Sequence, residues 1–66
     1  MKIIINGIEK NIKENTTIKK LLQELKVLDK TMAVAVNMKI VKKDDWDKYT
    51  LNEGDKVEAL NFVGGG

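Results

Sequence analysis

The sequence closes on Val63-Gly64-Gly65-Gly66. Three successive residues without a Cβ make a thin tether that another backbone can approach closely. The last of them, Gly66, carries a carboxylate. A slender tether ending in a carboxylate fits a narrow active site on a partner enzyme, where a larger side chain would clash. The chemistry on offer is therefore that of a terminal carboxyl group handed to another protein. The plain alternative is a frayed end with no role.

The rest of the chain holds little that could act alone. It has 66 residues, no Cys and no His, and all twelve basic residues are Lys. Without Cys there is no disulfide, thiolate nucleophile or zinc-thiolate site. Without His the commonest neutral-pH general base and metal ligand is missing. Without Arg there is no planar fork for gripping phosphate or carboxylate in two places. Asp44, Asp45 and Asp47 lack the spacing, glycine and closing Glu of a calcium loop and read as a solvated turn. Trp46 and Tyr49 read as packing residues of a small core. Lys39, Lys42 and Lys43 are followed by acidic residues that dilute any phosphate-attracting field. No P-loop, dinucleotide fingerprint or nucleophile elbow occurs. The expectation is a protein that is not an enzyme, binds no metal and holds no cofactor of its own.

Elements that could carry such a tail are legible in the patterning. Met1 to Ile5 is a β-branched run, followed by Asn6-Gly7 and then Ile8 to Lys13. Asn-Gly is the preferred pair for a two-residue type I′ hairpin, where both residues need positive φ. Thr16-Thr17 can cap a helix. Ile18, Leu21, Leu22, Leu25 and Leu28 then form one helical stripe, with Lys26 and Lys30 near its expected end. Met32 to Val36 reads as a strand ended by Asn37, and Lys39 to Lys42 as its short partner. Asp44 to Asp47 is expected as a turn or one helical turn, and Tyr49 to Leu51 as a brief extended piece. Asn52-Glu53-Gly54-Asp55 signals a turn before a last strand, Lys56 to Phe62. The order β-β-α-β-β-β, with short connections, predicts an α+β fold: a mixed sheet with one helix across one face, the β-grasp layout. Ile3, Ile5, the helix stripe, Val34, Val36, Val57 and Ala59 are its expected core. Residues 1–63 would form the domain and 64–66 its flexible tail.

Strand alternation adds a surface. With Val57 and Ala59 inward, Leu60 and Phe62 point outward, and Ile4 does so on the first strand. Ile4, Leu60, Phe62 and Val63 would then form an apolar docking patch beside the tail.

Taken in order, these landmarks resemble the ThiS family, small ubiquitin-like sulfur carriers of thiamin biosynthesis. They are Ile3-Ile4-Ile5-Asn6-Gly7, Thr17-Ile18-Lys19-Lys20-Leu21-Leu22, Ala33 to Asn37, Ile40-Val41, Trp46, Glu53-Gly54-Asp55 and Asn61 to Gly66. The resemblance spans the whole chain. Lys42-Lys43 stand where the family often has Arg. The resemblance implies that the Gly66 carboxylate attacks the α-phosphate of ATP on an E1-like (ThiF-like) adenylating enzyme. Sulfur from a donor such as a cysteine desulfurase then displaces AMP, leaving a thiocarboxylate. Thiazole synthase (ThiG-like) takes the sulfur for the thiazole ring. The residues fit that scheme. A carboxylate is a poor electrophile until adenylation gives it a leaving group, and a chain without Cys offers sulfur little attachment other than its end.

Two other readings remain open. One is the related carrier of molybdopterin synthase or of another thiolation pathway; those chains tend to be longer and have Pro before the glycines, and this one has no Pro. The other is a nucleic-acid-binding β-grasp module, which needs a basic, aromatic sheet face. Net charge is only +2, with signs interleaved, so neither a nucleic acid nor a membrane is expected as partner. No apolar run approaches the ~18–20 residues of a membrane span, and a soluble cytoplasmic protein is the default.

Overall fold

The computed structural model describes residues 1–61. Strand β1 (Lys2–Ile5) turns at Asn6-Gly7 into β2 (Ile8–Asn11). Asn6 and Gly7 have φ of 49° and 83°, the paired positive values that a type I′ turn demands. Helix α1 (Ile18–Glu24) follows, then a 3-10 turn at Leu28–Lys30, β3 (Thr31–Val36) and β4 (Lys39–Val41). A second 3-10 turn (Lys43–Asp45) precedes β5 (Lys56–Asn61). The sheet has five strands in the order β2-β1-β5-β3-β4. β5 runs parallel to β1 and antiparallel to β3. The last strand is thus the central one.

The helix start behaves as its sequence predicts. Thr17 is the N-cap, its hydroxyl accepting from the Lys20 N–H at 3.2 Å. The helix end does not. α1 stops at Glu24, short of Leu28, because Lys26 takes φ +60°. Lys26 N–H bonds Gln23 C=O and Val27 N–H bonds Leu22 C=O, the crossed pair of a Schellman stop, with lysine where glycine is usual. Leu25 and Leu28 still pack on the core from outside the helix, half-buried.

Ile18, Leu21 and Leu22 cover the inner face of the sheet, meeting Ile3, Val34, Val36 and Val57 in one buried cluster. Ala59, expected in that core, is half-buried at its margin. Ile12, Val41 and Leu51, which patterning had not singled out, complete it together with Trp46. Tyr49–Leu51 is the expected brief extended piece, with a single bridge in place of a strand. Thr50 bridges Thr17, Leu51 N–H bonds Thr16 C=O and Ile18 N–H bonds Tyr49 C=O, which pins the loop beneath the helix start.

The β3–β4 turn is Asn37-Met38, with φ of 51° and 70°. Methionine in the left-handed region costs about 1–2 kcal/mol, and its side chain, 88% exposed, recovers none of that by packing. Met38→Gly should therefore stabilise the fold. Set against the entropy glycine loses on folding, about 0.5–1 kcal/mol, the net gain is about 0.5–1 kcal/mol. A thermal melt should show the midpoint raised by roughly 2–6 °C; an unchanged or lower midpoint would refute the strain.

Candidate functional site

The candidate site is the end of β5 and whatever leads on from it. Phe62, Val63 and the three tail glycines, Gly64, Gly65 and Gly66, lie outside the described residues. What the structure places is the strand that delivers them and the surface around it.

At its start β5 is bound from both sides. Ile4 pairs with Lys56 and Ile5 with Val57 on the β1 side, and Val36 pairs with Val57 on the β3 side. The preceding turn is locked by Asp55, which is buried. Its carboxylate accepts from Asn37 Nδ2 at 3.0 Å and from the Asn52 N–H at 2.8 Å. Asn37 Oδ1 accepts from the Lys56 N–H at 3.0 Å. A buried carboxylate is tolerated because each oxygen has a donor. The motif Glu53-Gly54-Asp55 thus has a structural task. Gly54 sits at φ +82°, Glu53 Oε1 accepts from the Lys2 N–H at 2.9 Å, and Asp55 closes the turn that launches the last strand.

Further along, β1 has turned away and β5 keeps β3 alone as a strand neighbour. Leu60 faces Ala33 and Ala59 faces Val34, with an irregularity in register between Thr31 and Ala33. On the vacated side the side chain of Asn6 stands in for β1. Its Oδ1 accepts from the Ala59 N–H at 2.8 Å, and its Nδ2 donates to the Ala59 C=O at 3.3 Å.

The outward face of the sheet carries Leu60, 62% exposed, as alternation predicts. Of its expected apolar neighbours, Phe62 and Val63 lie outside the described residues and Ile4 is not beside it. Ile4 is half-buried and opposes Lys56, four residues before Leu60, or roughly 13 Å along the strand. The residues that gather with Leu60 are instead Ala33 opposite it, Ala35 and Ile40, which is 73% exposed. With Asn6 and Glu58 they border a shallow hollow. Ile40 was within reach of the pattern: once Val41 turns inward, Ile40 must turn outward.

Lys56 and Glu58 share this face with the apolar group. Trp46 is buried and Tyr49 half-buried against the core, so among the described residues no aromatic lies on the outward face for bases to stack on. No group of three or more His, Cys, Asp or Glu among them could hold a metal ion. No helix among them is long and apolar enough to cross a membrane.

A five-stranded mixed sheet with its last strand central, and one helix across the inner face, is the β-grasp fold of ubiquitin-like proteins. The thiamine biosynthesis protein (ThiS) of Geobacter metallireducens, solved by crystallography, superposes with a TM-score of 0.82 at 31% identity over the full length of both chains. The model of the ThiS family matches residues 3–66. The chain belongs to the ThiS family. It is also similar to the thiazole synthase of Paramagnetospirillum magneticum, 42% identical over all 66 residues. It is 26% identical, over the full length of both, to the sulfur carrier protein ThiS of Escherichia coli. The chain spans 20% of the length of the P. magneticum thiazole synthase and of a second one from Magnetococcus marinus.

Proposed function

We propose that this chain is a sulfur carrier whose Gly66 carboxylate becomes a thiocarboxylate and donates its sulfur to thiazole formation in thiamin biosynthesis. The observation that carries the proposal is the placement of β5. It is the central strand, held by hydrogen bonds on both sides, and in sequence only Phe62 and Val63 separate it from Gly64-Gly65-Gly66. A rigid strand aims a side-chain-free tether better than a loop would.

On this reading the chain is a co-substrate and not an enzyme. An E1-like adenylating enzyme supplies ATP, and the Gly66 carboxylate oxygen attacks the α-phosphorus while pyrophosphate leaves. The outer sulfur of a donor persulfide, such as that of a cysteine desulfurase, attacks the acyl carbon and AMP departs. A thiol then cleaves the resulting acyl disulfide, releasing the thiocarboxylate and being itself oxidised to a disulfide. Thiazole synthase is the acceptor, a role supported by the two relatives that bear that name. The site of action is cytoplasmic, where ATP and the donor are at hand.

The outward face joins the proposal as the dock for the adenylating enzyme. Leu60 lies near the end of the strand that precedes the tail in sequence, so a partner that seizes the tail also covers Leu60, Ala33, Ala35 and Ile40. Leu60→Asp should weaken binding to that enzyme at least tenfold, because it puts a charge into a desolvated contact. The Tm should move by only a few degrees, as for other exposed positions. Titration calorimetry and a thermal melt check this together; a large fall in Tm with unchanged affinity would place Leu60 in the core.

Intact mass tests the main claim. The chain is incubated with an adenylating partner, ATP and a sulfur donor. One oxygen should be replaced by sulfur, and fragmentation should put the change on Gly66. No replacement, or a natural polypeptide that continues uncut past Gly66, would overturn it.

A further inference from the structure

We propose that Asn6, beyond forming its turn, is a positioning residue for the carboxyl tail; this rests on the carrier reading given above. The first residues of the two type I′ turns, Asn6 and Asn37, reach β5 from opposite sides. Asn37 holds the strand's start, its own N–H donating to the Lys56 C=O at 2.8 Å and its Oδ1 accepting from the Lys56 N–H. Asn6 holds the strand close to its end. Its N–H donates to the Val57 C=O at 2.9 Å, and its side-chain amide takes both the N–H and the C=O of Ala59.

A primary amide presents the same donor and acceptor as a peptide unit. Asn6 therefore continues the β1 ladder by one rung after the β1 backbone has turned into the hairpin. That rung comes where β5 most needs it. Among the described residues no strand lies on that side past Val57, and the β3 ladder is irregular between Thr31 and Ala33, opposite the last residues of β5. Without the rung, β5 beyond Val57 would hang from β3 alone, and the direction in which the tail leaves would be poorly defined. A terminal carboxylate that must meet a phosphorus atom at about 3–3.5 Å is sensitive to such an error, since misplacement by ~1 Å can cost ~100-fold.

The turn and the rung are separable. Asn6→Gly keeps the positive φ the hairpin requires and deletes the amide. Asn37→Gly does the same at the other turn, removing the side-chain bonds to the Lys56 N–H and Asp55 and leaving the backbone bond to Lys56 and the Ala59 rung in place. Both variants and the unaltered chain are assayed for thiocarboxylate formation on the adenylating enzyme, with the carrier varied. Amide hydrogen exchange at Ala59 is followed in parallel.

The expected result is that Asn6→Gly lowers kcat about tenfold with KM within about twofold, and that Ala59 exchanges faster. Asn37→Gly should lower Tm at least as far while keeping kcat within about twofold. An unchanged kcat in Asn6→Gly, or an equal loss of kcat in Asn37→Gly, overturns the inference. Faster exchange at Ala59 in Asn6→Gly, together with an unaltered chain that takes no sulfur at all, would instead locate the failure in the carrier reading.

Discussion

Deleting Gly65 and Gly66 abolishes sulfur acceptance and leaves the folded domain's stability within about 0.5 kcal/mol of the parent. The two halves of this expectation have separate causes. Loss of function follows from reach. Two residues span at most ~7 Å, so the new terminal carboxylate of Gly64 would stop about that far short of the phosphorus. A near-attack geometry needs ~3–3.5 Å, and β5 cannot slide forward to make up the difference. Its hold on Asn37 at Lys56 and on Asn6 at Ala59 would break, and Val57 would leave the core. Retained stability follows from where the buried residues lie. Among the described residues the buried apolar cluster runs from Ile3 to Val57, and the two glycines removed carry no side chain that could add to it. Intact mass after incubation with the adenylating enzyme reports the first half, and a thermal melt the second. If the truncated chain still takes up sulfur, the reacting group lies elsewhere. If it fails to fold, the tail was part of the structure and the tether idea is wrong.

How much of this could be read in advance depended on how local each cause is. The Asn6-Gly7 turn was legible because both residues tolerate positive φ and little else fits a two-residue hairpin loop. The β3–β4 turn has the same geometry, but Met38 hides it, since methionine carries no turn signal. The helix end was misplaced for the same reason: the apolar stripe continues through Leu28, while the stop is made by Lys26 in a conformation usually given to glycine. In both cases the surrounding backbone hydrogen bonds, the β3–β4 pairing around Met38 and the crossed pair at Lys26, hold a residue where its own preference would not put it. The core positions on strands followed from period-two patterning. Ile12 and Leu51 escaped it because the segments around them are too short and irregular to show a period.

The docking face shows the limit most clearly. Leu60 and Ile40 were each readable as outward-facing. Their meeting depends on the register of β3 against both β4 and β5, which pairs Ala35 with Ile40 and Ala33 with Leu60. Register is a non-local property. Ile4 was placed beside Leu60 on strand adjacency alone, and the parallel register put it four residues away.

Trp46→Ala should unfold most of the protein, and the reason joins the core to the docking face. Trp46 is 2% exposed, in a chain so short that folding buries only about 60% of its unfolded surface. Truncating a buried aromatic costs about 3–5 kcal/mol. A chain of this length has roughly 3–10 kcal/mol in total, at about 0.05–0.15 kcal/mol per residue. The indole also does what no aliphatic side chain could. Its Nε1–H donates to the Val41 C=O at 2.9 Å in a buried setting, holding down β4, a strand of three residues at the edge of the sheet. Its backbone C=O accepts from the Lys19 N–H at 3.0 Å, so one residue ties the second 3-10 turn both to the sheet and to the helix. Trp46→Phe separates these roles. It keeps most of the packing and removes the indole's hydrogen bond to the Val41 C=O, at a cost of about 0.5–1.5 kcal/mol. The fold should survive, with β4 loosened and Ile40, next to Val41, displaced from the outward face. Circular dichroism melts should rank the three proteins parent, Trp46→Phe, Trp46→Ala. Calorimetry should show that Trp46→Phe, although it alters no surface residue, binds the adenylating enzyme more weakly than its lost stability alone explains. A Trp46→Ala chain that melts within a few degrees of the parent would mean the loop at 43–51 is not part of the core.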